Sequence, residues 1–216
     1  MELKRKLGAV AVYAIAMGYL EAAVVVYLRN LYYPDVFTFP LKLLPLKIVI
    51  VELAREASTL VMLGAVGYLA GSRGFVQWLS YFAFAFGVWD IFYYVFLRIT
   101  MGWPASLLDW DILFLIPLPW AGPVITPILV SAGLIGGSIL VLWRDEIGKP
   151  IKLAGLQWVL LVCGALIIIF SFLWNAPALV RQMAPRTFPW AIFIFGYALA
   201  GIAFLSSFRN RASSRM

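Results

Sequence analysis

Six apolar runs, over residues 7–28, 48–70, 76–97, 123–143, 153–174 and 190–208, dominate this chain and leave it few folds to choose from. The apolar core of a bilayer is about 30 Å thick, and about 20 residues at helical rise cross it. Each run meets that length. Composition agrees, with 64% hydrophobic and 12% charged residues and a mean hydropathy of +0.95, where soluble domains have roughly 45–50% and about 25%. The expectation is an all-α polytopic membrane bundle of six transmembrane helices, one domain over residues 1–216, with no water-soluble domain left over. The first run lacks a following A-x-A cleavage site and exceeds the roughly 7–15-residue apolar core of a signal peptide, so it reads as a retained helix.

Lysine and arginine set the expected orientation, because cytoplasmic flanks hold the positive excess. With the N-terminus inside, the cytoplasmic side collects Lys4, Arg5, Lys6, Arg73, Arg144, Lys149, Lys152, Arg209, Arg211 and Arg215. The opposite side receives Arg29, Lys42, Lys47, Arg98, Arg181 and Arg186, and Arg55 lies inside the second run. Both termini are therefore expected in the cytoplasm. The net charge of +7 follows from that topology and from attraction to anionic headgroups, so no nucleic-acid partner is implied. Cys163, the single cysteine, excludes an internal disulfide and reads as a small packing residue. The absence of histidine removes His-based zinc, haem and serine-triad chemistry, and no metal or cofactor is implied.

The second run is not uniformly apolar. In VELAREASTL, residues 51–60, Glu52, Arg55, Glu56 and Thr59 are spaced i, i+3, i+4, i+7. A helix lines them up on one face while Val51, Leu53, Leu60 and Val61 point elsewhere. The runs on either side carry one carboxylate each, Glu21 in GYLEAAVVVYLR and Asp90 in FGVWDIFYYVFLR. At about 1.5 Å per residue, Glu21 lies roughly 10 Å below Leu28, Asp90 roughly 10 Å below Leu97, and Glu52 to Glu56 roughly 6–12 Å below Ile48. This puts four carboxylates and one guanidinium at one level, in the outer half of the bilayer. A charge facing lipid costs at least about 2.5–3.5 kcal/mol near the centre, so these groups are expected to face the bundle interior and pair. One arginine cannot neutralise four acids. The remainder must be protonated, bind a cation or be solvated in an open vestibule. A purely structural role, with Arg55 clamping two glutamates to lock the bundle, is also open.

Between the third and fourth runs, WPASLLDWDILFLIPLPWAGPVITP places Pro104, Pro117, Pro119, Pro123 and Pro127 around an apolar run, 112–118, too short to cross. Proline ends helices, so this Pro-rich segment reads as a re-entrant or interfacial lid on the outer face. Irregular backbone at that depth requires burial in protein or a cavity to line. Asp109 and Asp111 sit there above the carboxylate level, and Tyr94 lies one turn from Asp90. The expected ligand-binding set is thus Glu21, Glu52, Arg55, Glu56, Asp90, Tyr94, Asp109 and Asp111. Trp103, Trp110, Trp120, Trp143, Trp174 and Trp190 fall at run ends, as in an interfacial belt. Gly64, Gly67, Gly133, Gly136 and Gly137 would let helices approach closely. The last two runs carry no charge and read as scaffold.

The stretch from Glu21 through YLRNLYYP, the VELAREAST stripe, and the GVWDIFYY and GWPASLLDWDILFLIPLPWAGPV blocks together resemble a family of uncharacterised bacterial six-span integral membrane proteins, over about residues 10 to 135. The resemblance implies a bacterial plasma (inner) membrane location and polar residues that come as a set. It implies no activity, cofactor or catalytic residue. Phosphate-loop, nucleophile-elbow, D-D-x-x-D and paired-cysteine motifs do not occur. Three functional classes remain. One binds or transports a small or cationic ligand in the polar cavity. Another is an enzyme using carboxylate acid–base chemistry on a lipid or isoprenoid, with Glu52, Glu56 and Asp90 as catalytic candidates. The third is an accessory subunit with membrane-protein partners.

Overall fold

A computed structural model of the chain describes residues 2–33, 45–71 and 74–209. Lys42, Arg73, Arg211 and Arg215 of the charge distribution lie outside the described residues. The apolar runs become α1 (Glu2–Tyr32), α2 (Leu46–Ala70), α3 (Phe75–Met101), α4 (Ile125–Glu146), α5 (Gly155–Leu173) and α7 (Trp190–Arg209), with a short α6 (Ala176–Val180) before the last. Between α3 and α4 lie strands β1 (Trp110–Phe114) and β2 (Trp120–Pro123). Five stretches are long and apolar enough to cross a membrane: α1, α3, α4, Gly155–Val180 and Trp190–Phe208. Helices of this kind mark a membrane protein. With 25 residues α2 matches them in length, but Glu52, Arg55 and Glu56 remove it from that set on composition.

The central helix is α3, packed on α1, α2 and α4. Its Tyr81, Phe84, Ala85, Val88 and Trp89 meet Val10, Ala14 and Met17 of α1, Leu63 of α2 and Leu142 of α4. Apolar contact between helices gains little over contact with lipid tails, so association rests on close packing and polar bonds. Glycines supply the closeness around α3. A Cβ on Gly18 would lie 2.9 Å from the Trp89 carbonyl oxygen, and one on Gly87 would lie 2.7 Å from the Ser131 carbonyl oxygen. Among the glycines picked out by sequence, Gly67 and Gly133 abut Phe82 and the Tyr197 hydroxyl, whereas Gly64 and Gly136 face open space. Glycine content alone does not say which side of a helix meets a neighbour.

Hydrogen bonds from the Leu3 N–H to Glu146, from Gln77 to Asp145 (3.0 Å) and from Gln157 to Ser206 (3.0 Å) tie one end of the bundle together. At the other end α3 stops at Gly102, whose φ of 71° is a left-handed helix terminus suited to glycine. Arg98 donates from Nη1 to the carbonyls of Gly102 and Pro104, directing the chain into the hairpin. There β1 and β2 pair antiparallel, with Trp110 opposite Pro123, Asp111 opposite Gly122, Ile112 opposite Ala121 and Phe114 opposite Trp120. The segment expected to be irregular is thus a β-hairpin, whose ladder supplies partners for backbone groups that prolines deny to a helix.

The α5–α7 pair closes tightly at Gly164 and Gly196. It joins the rest through an aromatic cluster of Phe172, Phe188 and Phe193 with Trp110 and Trp120. Trp110 and Trp120 are half-buried, packed against this cluster by the hairpin. Trp143 and Trp174 remain exposed. Cys163 is exposed on α5, contrary to its expected packing role, since the buried face of that helix is taken by Gly164 and Ile168.

Candidate functional site

One cavity of about 190 Å³ opens where α1, α2, α3 and the hairpin meet. It is lined by Glu21, Glu52, Arg55, Glu56, Asp90, Tyr94 and Asp111 of the residues picked out by sequence, together with Arg29, Trp89 and Tyr93. The helical stripe on α2 explains much of this. Glu52, Glu56 and Thr59 are buried on one face, while Val51 and Val61, 53% and 70% exposed, lie on the other.

Arg55 holds two carboxylates at once. It forms ion pairs with Glu21 on α1 and with Glu52 one turn back on its own helix, the latter at 2.8 Å from Nη2 with Nε donating at 2.9 Å. The Thr59 hydroxyl lies 3.1 Å from the other Glu21 oxygen. Such a clamp fits a guanidinium, whose planar fork can serve two acids with several N–H donors.

Arg29 is the residue that sequence reasoning misplaced. Counted as an outer flanking charge, it is 5% exposed, and its Nη2 lies 2.9 Å from Asp111 Oδ1 on the hairpin. Its guanidinium also stacks 3.8 Å from the centre of the Trp103 ring. The signal was present in the spacing: Glu21, Val25 and Arg29 recur every four residues, and all three line the cavity. Trp103 thus serves as a platform for Arg29. Burial pushes the Asp111 carboxyl up from its ordinary value, and the Arg29 charge opposes that shift.

Glu56 turns its carboxylate to the hairpin tip, where both oxygens accept from the Leu115 N–H at 3.1 and 2.9 Å. That bond satisfies a backbone donor the short ladder leaves over, and it anchors the tip to α2. Asp90 accepts from the Ser131 hydroxyl on α4 at 2.7 Å through Oδ2. The close approach at Gly87, one turn earlier on α3, brings Ser131 within reach. Nothing in the sequence around Ser131 announces this contact, because it depends on how two helices cross.

Asp109 does not join the site. Its Oδ2 accepts from the Ala105 and Ser106 N–H groups at 2.8 and 3.1 Å, closing the turn that leads into β1. Asp109 precedes β1, whereas Asp111 lies within the strand and lines the cavity. The site therefore has five carboxylates and two guanidiniums, where the sequence reading put four against one at its heart. Both arginines are engaged by acids, while Glu56 and Asp90 have no basic side chain within ion-pair distance among the described residues. No family model, curated protein or solved structure matches this chain.

Proposed function

We propose that the chain is a six-span protein of the bacterial inner membrane with both termini cytoplasmic, and that its acid-rich cavity, in the outer half of the bilayer, binds or transports a small cationic ligand. The observation that carries this reading is the charge balance of one cavity, with five carboxylates against two guanidiniums and Asp90 and Glu56 left without a basic partner among the described residues. A cation entering between α2 and α3 would find carboxylates that neither arginine contacts.

Membrane crossing by α2 is supported by its two faces, since Glu52, Arg55 and Glu56 line the cavity while Ile50, Val51, Val61 and Leu69 are exposed on the outside. The outer placement rests on the lysine and arginine distribution. The inner-membrane assignment rests on the family resemblance. Carboxylate chemistry on a lipid would fall to Asp90, because Arg55 clamps Glu52 and the Leu115 N–H occupies Glu56.

Isothermal titration of the detergent-purified protein with potassium, calcium and choline chlorides tests the reading against an Asp90→Asn variant. The amide keeps the shape and can still accept from Ser131, so the variant should stay folded. Saturable binding of at least one cation by the wild type, lost in the variant, is the expected result. Absence of saturable binding for every cation, or equal binding by the variant, overturns it.

A further inference from the structure

We infer that the cation taken by this cavity is an organic ammonium carrying a hydrogen-bond acceptor, a refinement that rests on the cation-binding reading above. Three observations lead there.

The acids of the cavity are spread out. Among the described residues no three Asp, Glu, Cys or His side chains come together as a metal ion would require. The cause is visible in the pairing, since Arg55 draws Glu21 and Glu52 to one wall, Arg29 holds Asp111 at the hairpin, and Glu56 faces the Leu115 N–H. A small hard cation gives up its water only to several oxygens at about 2.0–2.6 Å. A larger, diffuse cation needs one carboxylate and polarisable walls.

The walls near Asp90 are aromatic. Trp89, Tyr93, Tyr94 and Phe114 line the same cavity, and ring faces attract ammonium groups most strongly where water is excluded. The two arginines are already committed to acids.

Trp89 adds the third observation. It is 5% exposed and lines the cavity, yet its indole N–H has no hydrogen-bond partner among the described residues. A buried donor without a partner is costly. An acceptor oxygen on the ligand, placed a few ångströms from its ammonium, would satisfy it while the positive charge meets Asp90. Amino alcohols and their quaternary forms have this shape, either as free solutes or as lipid headgroups.

The test is a thermal shift on the full chain in maltoside detergent at constant ionic strength, with choline, tetramethylammonium, potassium and calcium chlorides as probes. Choline at a hundred times its dissociation constant should raise the melting temperature by about 5–10 °C. Trp89→Phe should weaken choline by up to about tenfold and tetramethylammonium by clearly less, because phenylalanine keeps an aromatic face and only choline loses the indole donor. Micelles doped with phosphatidylcholine or phosphatidylglycerol give the arm that distinguishes sources: stabilisation by phosphatidylcholine without free choline assigns the ligand to a headgroup, and stabilisation by free choline assigns it to a solute. If calcium or potassium stabilises and neither choline source does, the organic assignment is overturned while cation binding stands. If no probe stabilises, both fail. Equal loss of choline and tetramethylammonium in Trp89→Phe would overturn the acceptor alone.

Discussion

Removing Arg29 should loosen the hairpin from the bundle more than any other single truncation in the cavity. The Arg29 and Asp111 side chains are 6% and 2% exposed and lie 2.9 Å apart, so water screens neither charge. Breaking a buried pair by deleting one partner costs about 3–5 kcal/mol, because the survivor keeps its desolvation penalty. Arg29→Met also forfeits the stacking on Trp103, worth up to about 2 kcal/mol when desolvated. For a chain of 216 residues, the pair alone corresponds to a fall in melting temperature of about 6–20 °C, at about 2–4 °C per kcal/mol. Asp111→Leu should lower it similarly, without the stacking contribution. The double variant Arg29→Met with Asp111→Leu should recover much of the loss, since an apolar pair of similar volume often replaces a buried ion pair neutrally or better. Hydrogen exchange read at the backbone amides of β1 and the tip should accelerate in each single variant and slow again in the double. An unchanged melting temperature in Arg29→Met, or a double variant as unstable as the sum of the singles, would refute the assignment of this pair as the hairpin's tie to α1.

Gly87→Ala should push α4 away from α3, because the new Cβ would lie 2.7 Å from the Ser131 carbonyl oxygen. A loss of about 1–3 kcal/mol in thermal unfolding is expected, while Gly64→Ala, with open space around it, should be nearly silent. Glu56→Gln keeps one acceptor for the Leu115 N–H and loses the charge, so a cost of about 1–2 kcal/mol with faster exchange at that amide is expected. No change in that amide would separate Glu56 from the hairpin. For topology, a cysteine introduced at exposed Lys149 should react with an impermeant maleimide only from the cytoplasmic side, and one at exposed Leu108 only from outside. The reverse pattern would invert the orientation.

The helical character of this chain and the gathering of its charges are legible in the order of its residues, for one physical reason. Lipid offers no partner to a polar group, so a run of apolar residues must be a helix, and a charged stripe on such a helix must turn inward. The i, i+3, i+4, i+7 spacing of Glu52, Arg55, Glu56 and Thr59 carries that information locally, as do the isolated Glu21 and Asp90. What the chain could not reveal locally was decided by contacts between elements far apart in sequence. Pairing of β1 with β2 made a hairpin of a proline-rich stretch whose periodicity is too short to read. The pairing holds Asp111 within β1 at the cavity and leaves Asp109, just before the strand, to close a turn. The four-residue spacing puts Arg29 on the face of Glu21, but only the hairpin lying above it supplies the carboxylate and the indole that hold it buried. Ser131 reaches Asp90 because Gly87 lets two helices cross closely, a property of their packing angle and not of either segment alone. Helix formation is a local response to solvent; pairing, burial and the balance of charge in the cavity are properties of the assembled bundle.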